Sequence, residues 1–367
     1  MHQDTRILQA GFPDPRTPGP FLPGPLFAST YVSPGDPAAY GYTYARFGNP
    51  TLTAWEAALE TLEGGATLAF PSGMAAVAAI FGVTLKPGDA VVLPSDAYYT
   101  TRSFAQNWLA PTGVEVRLAP TRDNAQAALL DGARLLWIET PSNPGLEVCD
   151  LRELIGAAHA RGVLTAVDNT TATAALQQPL ALGAVFSMAS DTKALTGHSD
   201  LLLGHVATSD AEWIARLRTW RTQYGALPGP METWLAHRSL GTLALRLARQ
   251  CATADALARM LWVRSDVTGV RYPGHPLDPG HQTARRQMSA FGGVLGFDLE
   301  TRPRAEQFLA SLTLVRETTS FGGIHSTAER RARWGGDPVS QGFIRFSVGC
   351  EATEDLLEDV GQALERL

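Results

Sequence analysis

Two lysines stand against twenty-eight arginines in this 367-residue chain, so chemistry that needs a primary amine has few places to happen. Lys86 lies in Leu85-Lys86-Pro87-Gly88-Asp89, a turn composition that puts a side chain in water. Lys193 lies in Ser190-Asp191-Thr192-Lys193, directly after the apolar run 184–189. Alone it reads better as a leftover surface lysine of an arginine-rich chain; its neighbours change that. Phe70 is followed by Pro71-Ser72-Gly73-Met74-Ala75-Ala76, a small-residue turn entering a helix, where free amides and the helix dipole suit a phosphate or simply cap the helix. Ile138 is followed by Glu139-Thr140-Pro141-Ser142-Asn143-Pro144, which offers the Asn143 amide either to a ligand or to a turn. Val167 is followed by Asp168-Asn169-Thr170, where a carboxylate closing an apolar strand needs a positive partner or caps the next segment. Ser190 and Thr192 add two hydroxyls beside Lys193. An amine, an acid and a phosphate cup, in strand order, suit pyridoxal 5'-phosphate. The lysine forms an imine with the cofactor aldehyde, and the acid keeps the ring nitrogen protonated so that the ring accepts electrons.

Such residues need a scaffold that brings strand ends together. Short apolar runs at 67–70, 90–93, 135–138 and 163–167 alternate with helical patterns at 74–81 and 151–160, which predicts a parallel sheet covered on both faces. Sites in such α/β architectures lie at the carboxyl ends of strands. A further helix is expected over 50–63, stopped by Gly64-Gly65. After Leu227-Pro228-Gly229-Pro230 the pattern shifts to a long helix over 232–261, strands at 293–299 and 343–348, and a closing helix at 356–364. The expected division is an N-terminal arm at 1–46, an α/β cofactor domain at 47–228 and a smaller α+β domain at 229–367. The arm is rich in proline, which excludes long helices there, and its aromatics Tyr40, Tyr42, Tyr44 and Phe47 need a surface to cover.

Bulk properties exclude several classes. A hydrophobic share of 45% with 18% charged residues fits a globular enzyme. A net charge of −6 without a basic cluster argues against nucleic acid. Cys149, Cys251 and Cys350 are far apart and suit buried thiols in a reducing compartment. No apolar run reaches membrane length and residues 1–4 lack an export pattern, so no membrane partner is expected and the cytoplasm is the expected location. The eight histidines show no metal-ligand spacing; His198 and His205 have no second ligand nearby in sequence, and no metal is expected. His198 reads as a hydrogen-bonding group beside the lysine turn.

Several stretches together resemble the pyridoxal-phosphate enzymes of cysteine and methionine metabolism, the group of cystathionine synthases and lyases. They are Tyr44-Ala45-Arg46-Phe47-Gly48-Asn49-Pro50-Thr51, Ser72-Gly73-Met74-Ala75, Glu139 to Pro144, Val167 to Thr170, Thr192-Lys193 with Gly197-His198-Ser199-Asp200, and Ile344-Arg345-Phe346-Ser347-Val348-Gly349. The resemblance spans nearly the whole chain. It implies an aspartate-aminotransferase-like fold (fold type I of pyridoxal-phosphate enzymes) and a homotetramer built as a dimer of dimers. It further implies that Lys193 holds the cofactor and shuttles protons, and that Asp168 pairs with the ring nitrogen. Ser72, Gly73, Met74, Ser190 and Thr192 would hold the phosphate, with Tyr44 and Arg46 reaching that of the neighbouring subunit and Tyr44 counting, with Lys193 and Tyr98, among the catalytic residues. Tyr98 would stack on the ring and assist proton transfer; Asn143 and Arg345 would meet the cofactor hydroxyl side and the substrate carboxylate, with Ser320 and Thr319 nearby. A guanidinium suits a carboxylate because its fork bonds both oxygens.

The chain departs from the family pattern in three places. Tyr98-Tyr99-Thr100-Thr101 replaces a tyrosine followed by two glycines, so Tyr99 competes with Tyr98 as the stacking ring. Thr319 stands where many γ-type members carry a glutamate, which bears on recognition of a distal ammonium. The segment 324–342 is short and carries Glu329-Arg330-Arg331-Ala332-Arg333. The tract Gly335-Gly336-Asp337-Pro338 leading to Arg345 resembles compact bacterial members that act as cystathionine γ-lyases, and that activity is the expectation. Cystathionine γ-synthase is the alternative, followed by methionine γ-lyase, β-lyase and sulfhydrylase. A non-catalytic cofactor-binding regulator is the distant one.

Overall fold

The computed structural model describes residues 1–367. Seven strands form the larger sheet: β1 (Ala66–Phe70), β2 (Ala90–Pro94), β3 (Glu115–Ala119), β4 (Leu135–Glu139), β5 (Leu164–Asp168), β6 (Phe186–Ala189) and β7 (Gly204–Thr208), in the order β1-β7-β6-β5-β4-β2-β3. The β3-β2-β4-β5-β6 run is parallel, and β7 is antiparallel to both its neighbours. Strand β4 shows why its residues form a central strand. Leu135 and Trp137 join one apolar core with Phe81 and Phe186, while Leu136 and Ile138 join another with Leu151 and Ile155. The two-residue period thus feeds both faces, as burial on two sides requires. Helices Gly73–Thr84 and Ala211–Tyr224 cover one face and Leu151–His159 the other.

A second sheet holds β8 (Thr268–Arg271), β9 (Val294–Asp298), β10 (Arg316–Glu317), β11 (Thr327–Arg330) and β12 (Phe343–Ser347), ordered β10-β11-β12-β9-β8. Helices Leu243–Trp262, Arg302–Ser311 and Thr353–Leu364 pack on it through Leu257, Phe308 and Val360. This is the α/β, aspartate-aminotransferase-like arrangement expected from the sequence, a mostly parallel sheet with a smaller mixed one. No helix is long and apolar enough to cross a membrane.

Three local features differ from the sequence reading. The single helix expected over 232–261 is two, Pro230–Leu240 and Leu243–Trp262. At the break, Arg246 donates to Thr242 Oγ1 and to the Ser239 carbonyl, which also accepts from Thr242 N and Oγ1. The joint placed at 228 does not coincide with the packing boundary. Ala236, Leu240, Leu243 and Leu247 share a core with Leu52, Trp55 and Leu59, and the same long helix enters the other core at Ala254. The arm also begins differently: Gln3–Gln9 is a short helix whose Ile7 is buried against the chain's own body. Its prolines start only at Pro13, so nothing prevents a helix before them. Beyond it the only helical turn of the arm is the short one at Pro37–Ala39, and Phe21, Phe27 and Val32 are exposed.

Candidate active site

The parallel strands end at one edge, and register fixes what meets there. Glu139 lies beside Asp168, Asp168 beside Met188, and Phe70 beside Gly204, the first residue of antiparallel β7. The segments leaving this edge enclose a cavity of about 180 Å³. Ser72, Gly73, Met74, Tyr98, Asn143, Asp168, Ser190, Thr192 and Lys193 all line it. Residues separated by up to 121 positions thereby share one wall, which periodicity alone could not establish.

One end of the cavity is a tight cradle at the start of helix Gly73–Thr84. Ser72 caps that helix, its hydroxyl accepting from Ala75 N at 3.1 Å. A Cβ on Gly204 would stand 2.7 Å from Gly73 N, and one on Gly73 would stand 2.8 Å from Ser190 Cβ. Only glycines allow the helix start, β7 and the lysine turn to approach this closely. The two hydroxyls differ. Thr192 Oγ1 is engaged with the Leu203 backbone, 3.2 Å from its carbonyl and 3.1 Å from its amide. Ser190 uses only backbone groups, its amide donating to Thr170 Oγ1 and its carbonyl accepting from Lys193 N, which leaves its hydroxyl free. Free amides, a free hydroxyl, an amine and a buried acid are the donor set that pyridoxal phosphate needs, and the residues fit it.

The electrostatics follow from burial. The Lys193 amine forms no ion pair and stands 5.6 Å from the centre of the Phe321 ring. Burial, then the Arg345 charge, pushes its pKa down to about 8, with Asp168 pulling the other way. Burial raises the Asp168 pKa, opposed by Thr170, whose amide donates to Oδ1 at 3.0 Å, and by Lys193. Glu139 is raised well above the usual carboxylate range, by burial first and then by Asp168. Its two oxygens nevertheless hold the amides of Tyr98 and Asn143, each at 2.7 Å. Glu139 therefore fixes two cavity residues at once. The signal that singled out Asp168, an acid closing an apolar strand, was present at Glu139 too.

Arg345 enters from β12. It donates to Asn143 Oδ1 at 2.6 Å, to the Ser320 carbonyl at 2.9 Å and to Glu329. Glu329 also accepts from Arg331 at 2.8 Å, Arg333 at 3.1 Å, Trp334 Nε1 at 2.9 Å and Thr319 Oγ1 at 3.3 Å. Glu329 is thus a buried carboxylate shared among protein groups, brought beside Thr319 only through tertiary folding. Burial lowers the Arg345 pKa to about 10, with Arg331 adding to the fall and Glu329 resisting it.

Tyr98 lines the cavity; the Tyr99 ring instead packs on Gly336, where a Cβ would come within 2.3 Å of it. Tyr44 and Arg46 lie outside the cavity and exposed, with Arg46 donating to the Thr222 carbonyl at 3.1 Å. His198 bonds locally, Nδ1 lying 2.6 Å from the Thr196 carbonyl oxygen. His205 has partners that lie far off in sequence. It sits between Asp191 and Glu63, the latter 142 residues away, a proximity that sequence spacing could not reveal.

Comparison with known proteins agrees with this geometry. A Streptomyces coelicolor protein named "Putative cystathionine gamma-lyase" is 54% identical over 366 residues, covering 98% of this chain and 93% of that one. A cystathionine gamma-synthase of Mycobacterium tuberculosis is 40% identical over 375 residues, covering 98% and 96%. The crystal structure of apo CalE6, a methionine gamma lyase from Micromonospora echinospora, superposes with a TM-score of 0.93 at 39% identity, covering 99% of each chain. The model of the Cys/Met metabolism PLP-dependent enzymes matches residues 5–365, and this chain belongs to that family.

Proposed function

We propose that the chain cleaves cystathionine at its γ carbon–sulfur bond, consuming water and yielding cysteine, 2-oxobutanoate and ammonia. The observation that carries the chemistry is a half-buried, unpaired lysine amine in one cavity with Asp168 and the glycine cradle. The choice of γ-cleavage is supported by the 54% identity to the Streptomyces coelicolor protein of that name. Pyridoxal phosphate, when bound, supplies an electron sink that makes loss of the substrate α-proton and departure of sulfur accessible.

In this reading Lys193 anchors the cofactor and, once released by substrate, its Nζ takes the α-proton and carries it onward. A pKa near neutrality suits that exchange, worth on the order of 10²–10⁴-fold. Asp168 holds the proton on the ring nitrogen. The amides of Gly73 and Met74, with Ser72, Ser190 and Thr192 around them, hold the phosphate. Tyr98 stacks on the ring and assists proton transfer. Arg345 and Asn143 receive the substrate carboxylate, with Ser320 and Thr319 forming the adjoining wall.

Tyr44 and Arg46 complete the phosphate site of a neighbouring subunit, which gives the exposed arm a function and implies a homotetramer assembled as a dimer of dimers in the cytoplasm. A second reading, γ-replacement on an O-acylhomoserine, is favoured by the 40% identity to the mycobacterial γ-synthase. The test is to incubate the loaded protein with cystathionine and identify the keto acid. 2-Oxobutanoate is expected; pyruvate would mean β-cleavage. Product only with O-acylhomoserine plus cysteine would favour the second reading. Lys193→Ala is expected to lose both visible absorbance and turnover, and full turnover in that variant would refute the scheme.

A further inference from the structure

The Lys193 turn is tied down from beneath by charge that the proposed reaction does not use. His205 on β7 lies in register with Ala69 of β1 and Ala189 of β6, at the level where β6 gives way to the turn. Its Nδ1 stands 2.5 Å from Asp191 Oδ1, two residues before Lys193, and its Nε2 stands 2.8 Å from Glu63 Oε1 at the end of helix Pro50–Glu63. The ring is 1% exposed and both carboxylate side chains are fully buried. Each ring nitrogen thus faces a carboxylate oxygen, the geometry of an imidazolium donating from both nitrogens.

We propose that His205 is a positioning residue for Lys193: as an imidazolium bridging Glu63 and Asp191, it anchors the turn that presents the amine. The inference rests on Lys193 being the cofactor-bearing residue. Asp191 is the knot of that turn, its carbonyl accepting from Thr196 N at 3.2 Å and Thr196 Oγ1 at 2.7 Å. Gly197 N closes the turn on the Lys193 carbonyl at 2.9 Å. Besides the bridge, the segment is held by backbone bonds, by the hydroxyls of Thr170, Thr192 and Thr196, and by Arg246, which donates to the Ala194 and Leu195 carbonyls.

Every element around the ring contributes a named charge or none. Helix Pro50–Glu63 gives Glu63, the turn gives Asp191, and β5 gives Asp168, whose carboxylate the imidazolium helps keep ionised. On β1 the Glu56–Arg221 pair brackets Ala69, while β6 offers only Ala189. Burial opposes the charge on His205, yet Asp191 and Glu63 outweigh it and hold its pKa at about 10.

The full-length protein tests this, because two lysines make amine labelling unambiguous. Protein stripped of cofactor is treated with trinitrobenzenesulfonate across pH, and the Lys193 and Lys86 peptides are quantified by mass spectrometry. The wild-type Lys193 profile is expected to have its midpoint near 8. Asp191→Ala cuts the link but leaves His205 paired with Glu63. As the amine gains water, its midpoint should rise by on the order of one pH unit, with Lys86 unmoved. Asp191→Asn keeps the acceptor and should retain the wild-type midpoint. The pH midpoint of visible absorbance in the loaded protein should follow the same order. A folded Asp191→Ala protein with the wild-type midpoint overturns the proposal, and so does an Asp191→Asn protein that behaves like Asp191→Ala. If Asp191→Ala does not fold, nitrogen NMR of wild-type His205 decides: both ring nitrogens protonated at pH 8 support the proposal, and a neutral ring overturns it. Visible absorbance surviving in Lys193→Ala would instead sink the assignment of Lys193, a failure separable from these.

Discussion

The Lys193 turn lines the cavity, the Arg345 hairpin abuts it through Asn143 and the Phe321 ring, and the two are built on opposite electrostatic plans. The lysine amine has no carboxylate at ion-pair distance, only the Phe321 ring nearby, and its proton is held loosely. The arginine is bonded to Asn143 and Ser320 and paired with Glu329, which is itself shared with Arg331 and Arg333. A group that must give and take a proton is served by burial without a partner. A group that must stay charged to receive a carboxylate is served by a neutralising acid. The contrast teaches that burial alone does not define a site's chemistry; the company of the buried charge does.

The largest break in this contrast should come from Glu329→Ala, which leaves three arginines around an empty acceptor. Removing one partner of a buried ion pair typically costs about 3–5 kcal/mol, read as a lower denaturant midpoint, and kcat/KM should fall as Arg345 loses its orientation. A variant of wild-type stability would mean that the arginines hydrate freely and that the two regions do not differ as argued. Next in size is a pH effect on the other side of the cavity. The folded pKa of Lys193, about 8, lies below its ordinary 10.5. Between those values the unfolded chain holds a proton that the folded chain has released, so stability rises with pH. Cofactor-free wild type minus Lys193→Met should therefore gain stability from pH 8 to 10.5, on the order of 3 kcal/mol. His205, whose own contribution is lost as pH climbs through about 10, is present in both proteins and cancels from the difference. A flat difference curve would show the amine to be hydrated in the fold.

What the sequence made legible divides along the same line. Lys193, Asp168 and the Ser72-Gly73-Met74 turn each follow an apolar run, so local pattern placed them at strand ends and α/β topology gathered those ends. Strand β7 was not legible, although it carries His205 and the Gly204 contact, because Gly-His-Val-Ala-Thr has no marked periodicity. Glu329 was visible only as one acid within a basic run, Glu329-Arg330-Arg331-Ala332-Arg333. Its meaning depends on β11 pairing with β12 so that Glu329 stands opposite Arg345. Long-range pairing of this kind leaves no local trace. The break between the helices at Gly241 was missed because helical spacing continues across it, although a glycine at that position is itself a helix-stop signal.

The smallest expected effect bears on an alternative that sequence left open, Tyr98 or Tyr99. Tyr98 borders the cavity, and its amide is held by Glu139. Tyr99 points at the other region: its ring packs on Gly336, and Arg102 lies 5.8 Å from its centre while donating to the Gly336 carbonyl at 2.7 Å. Tyr99 therefore belongs to the support of the arginine hairpin. Tyr99→Phe keeps that ring contact and should change stability by no more than about 0.5 kcal/mol, with visible absorbance unchanged. Tyr98→Phe removes a hydroxyl at the cavity wall and should lower kcat with the fold intact. Comparing the two by turnover and by visible spectrum separates them, because a ring that stacks on the cofactor perturbs the spectrum and one that braces a loop does not. A spectral change in Tyr99→Phe but not in Tyr98→Phe would reverse the assignment and place the hairpin's brace inside the reactive half of the cavity.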